Sequence, residues 1–538
     1  MVNIPLVIER VRAHVNEKPD HLAFVFIRHH SEEGTEVTWQ TLWDNACLVA
    51  SHLPISEPAD KCGVVIFCND EWHFVVSLLA IWMRGATAIP TSGSINLHAI
   101  ERNEHILAMS QPNIILHDLS KEDEIILRNK VNASAICNVS DYLKPSKKDF
   151  NVSTLKNGGL VQFTSGSTST PKAVILSPDN IAKNCAAITK TFSLNDHTIG
   201  LHWLPLHHDM GLVGSILTPL WAGVSSVIMR PTMFIQRPSI WFELINKWRA
   251  TITSAPNFAY ERLSHSISES DLKDLDLSCL ETVIIGGEPV HKQTLDHLMK
   301  VWGPYGLQAD ALAPSYGLAE VTLLASTGKR VGGPVYNEKH SLRPIPALGT
   351  PVDGVTISII DEASGNECAA DVLGSIQVNG DCVGRVVPEN FGWREYQETG
   401  PLLTGDYGFQ INGDIYVTGR NTNKIIVRGK NIFAEDVELL VSQTSDQIHS
   451  NHVAAFGIES DGTESLCILI EKMTHNAPMN IKTINQIIVA SLGIKPAYIL
   501  FLRRSTLPRT SSGKVRRSLA RSQFLAGTYK SRMLNNAP

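Results

Sequence analysis

Short apolar runs, each set off by turn residues and standing near an amphipathic or helical stretch, recur along the chain up to about Leu348. GVVIFC (Gly63 to Cys68) and ATAIPT (Ala86 to Thr91) flank a longer apolar stretch, Phe74 to Met83. NIILHD (Asn113 to Asp118), SSVIM (Ser225 to Met229), TITSAP (Thr251 to Pro256) and TVIIGGEP (Thr282 to Pro289) follow. Strand-like runs alternating with helical ones predict layered α/β architecture with largely parallel sheets. Phe74 to Met83, bracketed by Asp70 and Arg84, is too short to span a bilayer and reads as a buried helix. The first residues, MVNIPLVIERVRAHVNEKPD, mix acidic and basic side chains with apolar ones. They predict an amphipathic helix, since a signal peptide needs an uninterrupted apolar region.

Past Leu348 the pattern changes. VTISIIDEASGNE and GSIQVNGD read as strand–turn–strand pairs, with turn signals at Ser364-Gly365 and Asn379-Gly380. GDIYVTGR and NKIIVRGKN continue this β-rich part, and the polar Asn421-Thr422-Asn423 lies between them. The expected division is therefore a large N-terminal domain, 1–421, of layered α/β sheets plus a β-subdomain, and a small α+β C-terminal domain, 422–538.

Composition narrows the function classes. A chain of 538 residues exceeds one compact core, so more than one domain is expected. Hydrophobic residues at 43% and charged ones at 19% place it among ordinary soluble globular proteins. The net charge of −6 gives no bulk attraction to nucleic acid or to an anionic membrane. Nine cysteines, an odd number without any C-x-x-C pair, argue against a disulfide framework and structural zinc. Thiols in a reducing compartment fit, which places the protein in the cytoplasm.

The candidate chemistry starts at QFTSGSTSTPKAVILSPDN, Gln162 to Asn180. Small hydroxylated residues leave room for a polyphosphate to approach the backbone, their N–H and O–H groups donate, and Lys172 adds a mobile positive charge. Ser177 suits a helix N-cap and Pro178 the first helical position. A helix starting there would favour an anion at the loop. The stretch is not the G-x-x-x-x-G-K-[ST] phosphate loop, because Pro171 precedes Lys172 and Ala173 follows it. TSSGKV, Thr510 to Val515, fails that pattern too, and no G-x-G-x-x-G opens a βαβ unit.

TSGSTSTPK resembles the signature loop of the adenylate-forming superfamily, which includes acyl-CoA ligases, firefly luciferase, peptide-synthetase adenylation domains and fatty acyl-AMP ligases. Further motifs follow in family order: SYGLAE (Ser315 to Glu320), TGDYGF (Thr404 to Phe409), TGR (Thr418 to Arg420), VRGKNIFAEDVE (Val427 to Glu438) and RTSSGKVRRS (Arg509 to Ser518). The resemblance implies attack of a carboxylate on the α-phosphorus of ATP, with Mg²⁺ and release of pyrophosphate. It assigns Mg²⁺ to Glu320 with Thr164, and the β- and γ-phosphates to Thr164, Ser165, Gly166, Ser167, Thr168 and Lys172. Adenine would stack on Tyr316, with Ser315 and Gly317 beside it in the motif, and Gly286, Gly287 and Glu288 would line the base. Asp406 would accept from the ribose hydroxyls, supported by Arg420, and Lys514 would bridge the carboxylate and the α-phosphate. The C-terminal domain would rotate between half-reactions about a hinge that usually reads Lys-Asp, where this chain has Thr422-Asn423. Arg503, Arg504, Arg509, Arg516 and Arg517 surround Lys514 and stand open to an acidic protein partner.

LPLHHDMGLVGSILTPLWAG (Leu204 to Gly223), SAPNFAYERL (Ser254 to Leu263), SDLKDLDLS (Ser270 to Ser278), GGEPV (Gly286 to Val290) and YGLAEVTL (Tyr316 to Leu323) resemble the fatty acyl-AMP ligase branch. That branch implies a fatty or fatty-like acid as substrate and the phosphopantetheine thiol of an acyl carrier protein as acceptor. It places the acyl pocket around His208, Met210, Gly211, Asn257 and Phe258. His208-Asp209 invites a catalytic dyad, but adjacent residues on a strand point to opposite faces, so His208 is expected in the pocket wall. No G-x-S-x-G nucleophile elbow supports a hydrolase. The branch usually carries an insertion after Y-G-L-A-E. Here Ala325 to Pro346 is short, which leaves free CoA open as the acceptor. The rival readings are an acyl-CoA ligase and a degenerate module that binds nucleotide or acyl-AMP without catalysis.

Overall fold

The computed structural model describes residues 4–29, 33–56, 58–93, 97–131, 133–144, 150–151, 155–164, 172–266, 274–340, 343–387, 400–427, 430–445, 448, 452–460, 463–471, 481–509 and 515–529. Two large sheets organise the part before Arg420. The nine-stranded sheet runs Thr350–Pro351, Leu324–Thr327, Leu312–Gly317, Thr282–Ile285, Ile252–Ala255, Ile199–His202, Ser225–Met229, Leu22–Ile27, Thr35–Thr38. It is parallel from Leu22–Ile27 through Leu312–Gly317 and antiparallel at both edges. The seven-stranded sheet centres on Gly63–Phe67, with Thr87–Pro90 and Ile114–His117 parallel on either side. It ends in an antiparallel group, Leu160–Thr164, Lys172–Leu176 and Arg385–Val387.

The apolar runs become strands because a parallel sheet covered on both faces leaves no solvent side for polar residues. Gly63–Phe67 and Thr87–Pro90 are buried along their whole lengths. Between them lies the buried helix, Glu71–Met83, with Asp70 as its N-cap and Arg84 as its C-cap. The Asp70 carboxylate accepts from the Trp72 and His73 backbone N–H groups and pairs with Arg28 and Arg230. The amphipathic segment at the start forms the helix Val7–Glu17. Among the described residues no helix is long and apolar enough to cross a membrane.

The β-rich part is a four-stranded antiparallel sheet of Val355–Ile360, Gly374–Gly380, Leu402–Ile411 and Asp414–Arg420. Asn421–Asn423 forms a single 3₁₀ turn, after which strand Lys424–Val427 begins. From Ile425 onward the buried apolar side chains gather into clusters of their own, around the three-stranded sheet Val453–Ser460, Thr463–Glu471, Tyr498–Leu502.

Two local expectations are corrected. Ser177 does cap a helix, Pro178–Thr191, through a capping box with Asn180. That helix does not begin at the phosphate-type loop, however. Residues 172–176 first form a strand antiparallel to 160–164, pairing Thr164 with Lys172 at one end and Leu160 with Leu176 at the other. The helix N-terminus thus stands a strand length, roughly 16 Å, from the loop and lends it no dipole. The second correction concerns His208 and Asp209, which lie on no strand. Asp209 instead caps a π-helix, Met210–Leu217, its carboxylate accepting from the Met210 N–H at 2.8 Å.

Burial alone would raise the Asp70 carboxyl, but the Arg28 hydrogen bond and charge outweigh it and hold it below its ordinary value. Its stabilisation is therefore present above the unfolded-state carboxylate range and is lost as pH falls. Asp70→Ala is expected to lower the unfolding free energy at neutral pH by about 1–2 kcal/mol, the scale of a lost cap. Urea titrations should show the gap to the unsubstituted protein narrowing at acid pH.

Candidate active site

The ends of three sheets meet at one place. Tyr316, on the strand Leu312–Gly317, is buried, and its hydroxyl donates to Asp406 Oδ2 at 2.7 Å. Asp406 belongs to the four-stranded sheet, where it pairs across strands with Arg420. Arg420 Nε donates to Asp406 Oδ1 at 3.0 Å, so both carboxylate oxygens are engaged. Burial, then the Asp406 charge, push the Tyr316 phenol well above its ordinary pKa. Asp406 in turn raises Arg420.

Gly286 and Gly287 follow the neighbouring strand Thr282–Ile285. A Cβ on Gly286 would stand 2.9 Å from the Ser315 carbonyl oxygen, and Gly287 has φ +72° with Met210 Sδ 3.0 Å from its would-be Cβ. Glycine lets the first of these approach a backbone carbonyl and suits the positive φ of the second. Glu288 is tied down: its Oε1 accepts from the Phe258 backbone N–H at 2.6 Å, at the opening of helix Asn257–Ser266. Asn257 is also engaged, accepting from His291 N–H and donating to Glu261.

Glu320 sits on a 3₁₀ turn, Ala319–Val321, beside a strained backbone. Thr322 has φ 67° and ψ −60°, and Leu323 N–H donates to the Val321 carbonyl at 2.8 Å. That is a γ-turn of the rare hand, disfavoured for a β-branched residue by roughly 1–3 kcal/mol. Burial pushes the Glu320 carboxyl up; Arg420 opposes this, while Asp209 and Asp406 add to it. Among the described residues no side chain hydrogen-bonds to this carboxylate. Such a group fits Mg²⁺, which takes one or two carboxylates and completes its shell with waters and substrate phosphates. No cluster of three or more metal-ligating side chains occurs among the described residues, and a phosphate-bridging cation does not need one.

The phosphate-type loop is visible at its roots. Thr164 and Lys172 are antiparallel partners, while Ser165, Gly166, Ser167 and Thr168 lie outside the described residues. Gln162, two residues before Thr164, donates to the His207 carbonyl at 2.6 Å and so ties this strand to the His208–Asp209 loop. Lys514 also lies outside the described residues. Its neighbours Val515, Arg516 and Arg517 line a cleft shared with Glu288, Tyr316, Asp406 and Arg420. Arg509 and Arg517 do not face outward to a partner. Arg509 pairs with buried Glu471, and Arg517 with Glu435 and Glu438.

A second, narrow cavity leaves the cleft at Gly287, Ser315, Tyr316 and Gly317, residues that line both. It is open at its mouth and is lined by Met210, His202 and Ile284 and by Ile188, Phe192 and Leu194. Of the residues assigned to the acyl pocket, Met210 lines this cavity, whereas His208, Gly211, Asn257 and Phe258 do not. Gly211 acts next door: a Cβ there would stand 2.2 Å from the Pro205 carbonyl oxygen, so glycine allows the π-helix to pack on that loop. Ile188, Phe192, His202 and Ser254 were not legible as cavity walls, because they come from separate elements that only the fold brings together.

Comparison with known proteins agrees with this geometry. The AMP-binding enzyme family matches residues 11–386. The medium-chain-fatty-acid–[acyl-carrier-protein] ligase JamA of Moorena producens is 29% identical, over 94% of this chain and 93% of that protein. The putative fatty-acid–CoA ligase FadD21 of Mycobacterium tuberculosis is also 29% identical, over 96% of this chain and 97% of its own length. A structure from work on fatty acyl-adenylate ligases of E. coli and L. pneumophila superposes with a TM-score of 0.87 at 26% identity, covering 98% of this chain and 99% of that one. Because the family match takes in well over half of the sequence, the chain belongs to the AMP-binding enzymes and is an adenylate-forming ligase.

Proposed function

We propose that the protein activates a fatty acid with ATP to an acyl adenylate, releasing pyrophosphate, and delivers the acyl group to the phosphopantetheine thiol of an acyl carrier protein. The observation that carries this reading is the junction of the two hollows. An apolar cavity suited to a hydrocarbon chain opens beside Tyr316 into the polar cleft that holds Asp406 and Arg420. An acid lying in the cavity would present its carboxylate where a nucleotide in the cleft presents its α-phosphate. Both reactants are anionic, so holding them together and neutralising their charge is most of the catalytic task.

Each group has a role that its surroundings support. Tyr316 is fixed by Asp406 and offers its ring to adenine. Asp406 keeps lone pairs for the ribose hydroxyls while Arg420 holds it in place. Thr164 and Lys172 stand at the roots of the loop that would cradle the β- and γ-phosphates. Mg²⁺ at Glu320 would neutralise phosphate charge when bound. Lys514 would bridge the carboxylate and the α-phosphate. The C-terminal part, 422–538, is the domain that carries Lys514 to the cleft, a division supported by its separate apolar clusters. In this arrangement it is held by buried Arg343, which donates to Asp436 at 2.8 Å and to His291 Nδ1 at 2.6 Å. Nine free cysteines support a reducing, cytoplasmic setting.

Product analysis by mass spectrometry tests the reading, with ATP, Mg²⁺ and a panel of fatty acids, alone, with CoA, and with a phosphopantetheinylated carrier protein. Acyl-AMP that persists with CoA and is consumed by the carrier protein is the expected result. Efficient acyl-CoA formation would move the enzyme to the CoA-ligase class.

The Lys514→Ala variant is expected to lose carboxylate-dependent pyrophosphate release by at least ~10²-fold, the scale of one transition-state electrostatic contact, while ATP still binds. Undiminished release in that variant would remove Lys514 from the reaction. For Glu320, whose raised pKa means that the folded state disfavours its charge, the two readouts should diverge. Glu320→Gln is expected to lose at least ~10²-fold in activity with no fall in the melting temperature of the ligand-free protein. In the unsubstituted enzyme the Mg²⁺ concentration for half-maximal activity should rise as pH falls toward that raised pKa, since protons and metal compete for one carboxylate.

A further inference from the structure

The apolar cavity has a polar edge that adenylation does not use. His202 ends the strand Ile199–His202 and is only 4% exposed. Its Nδ1 lies 3.4 Å from the Ser254 hydroxyl on the adjacent parallel strand. Among the described residues its Nε2 has no hydrogen-bond partner, and the ring lines the cavity. Gly200, two residues earlier on the same face, makes room for it: a Cβ there would stand 2.6 Å from Nε2. The surrounding wall is Ile188, Phe192, Ile252 and Ile284.

Nε2 faces the cavity with no partner among the described residues, so an occupant that displaces solvent from it must supply one or lose roughly 1–3 kcal/mol. Burial lowers the imidazole to about 4, so it is neutral at ordinary pH and its ring presents one donor and one acceptor. A neutral ring cannot compensate a buried charge, which rules against a second carboxylate or an ammonium at this depth. It matches a hydroxyl, which also both donates and accepts.

The register sets the depth. Gly200 is level with Ile252 and Leu201 with Thr253, which puts His202 level with Ser254; Ser254 is paired with Ile284. Gly286, at the mouth, follows Ile284 by two residues, roughly 7 Å along the strand direction, and its strand lies two places from that of His202 across the sheet, roughly 10 Å to the side. An extended hydrocarbon advances roughly 1.3 Å per carbon, from a C–C bond near 1.5 Å, so His202 meets the chain several carbons below the mouth. The cavity continues beyond it to Gly200 and Thr198, so the contact falls within the chain and not at its end.

We propose that His202, positioned by Ser254, recognises a hydroxyl partway along the acyl chain, so that the preferred acid is a mid-chain hydroxylated fatty acid. This rests on reading the cavity as the acyl pocket. The test is ATP–pyrophosphate exchange, read as kcat/KM, with medium-chain saturated acids that are unsubstituted or carry one hydroxyl at successive carbons. The enzymes compared are the unsubstituted protein, His202→Leu and Ser254→Ala. The expected result is a preference of about tenfold for one mid-chain hydroxy acid over its unsubstituted parent, the worth of one well-made hydrogen bond. His202→Leu should abolish that ratio and Ser254→Ala should reduce it. Exchange with the plain acid equal to or better than with every hydroxy acid would overturn the inference and leave the acyl-adenylate reading standing. Exchange with no acid would overturn both. The substrate ratio of the unsubstituted enzyme decides the matter even if a variant fails to fold.

Discussion

The hydrogen bond from Tyr316 to Asp406 is the contact on which the site depends. It crosses from the parallel sheet to the four-stranded antiparallel sheet and is closed by Arg420 on the far side of the carboxylate. A buried carboxylate with one oxygen on a phenol and the other on a guanidinium has little freedom to move. Losing Arg420 would leave that charge buried without compensation, which typically costs far more than an exposed ion pair is worth, and losing the Tyr316 hydroxyl would leave one buried oxygen unpaired. Through this contact the Tyr316 ring is fixed at the boundary of both hollows. If the ring turned away, the cleft would lose its flat apolar surface and the cavity would lose part of its rim.

Close backbone approach does the rest. Gly286 against the Ser315 carbonyl, and Gly287 against the Met210 thioether, bring three elements to one edge. Met210 begins the π-helix capped by Asp209, and Asp209 also adds to the charge that keeps the Glu320 carboxyl raised. The Met210 end of the cavity and the Glu320 turn are thereby coupled through one short loop, which Gln162 fastens to the strand leading into the phosphate-type loop. Strain at Thr322 sits in the same place, next to Glu320. Local strain, raised carboxyl and glycine contacts coincide where the reactants would meet, and are absorbed by the rigid parallel sheets around them.

Much of this was legible in the sequence, for a physical reason. Strands buried on both faces must be apolar throughout, so Gly63–Phe67, Ser225–Met229 and Thr282–Ile285 stood out. A helix buried all round must be capped by something polar at each end, and Asp70 and Arg84 marked those ends. The motif residues Tyr316, Glu320, Asp406 and Arg420 are close in space as well as in family order. The misreadings arose where tertiary pairing overrode local signals. Ser177-Pro178 does start a helix, but the preceding residues pair back as a strand and carry that start away from the loop. His208-Asp209 read as strand because apolar residues surround it, whereas the Asp209 carboxylate captures the Met210 N–H and opens a π-helix. Asn257 and Glu288, which the resemblance gives to the acyl pocket and the adenine, are engaged with His291 and Phe258 in the fold. Gln162, His202, Ser254 and Arg343 carry no local signal at all, because their partners are tens of residues away.

The central claim is that one acyl adenylate spans both hollows, its base in the cleft and its chain in the cavity. A crystal structure of the full chain with a non-hydrolysable acyl-adenylate analogue tests it most directly. Adenine should lie against the Tyr316 ring, the ribose hydroxyls on Asp406, and the acyl chain should pass Met210 and His202 toward Phe192. An acyl chain lying outside that cavity, or a ribose that leaves Asp406 untouched, would contradict it.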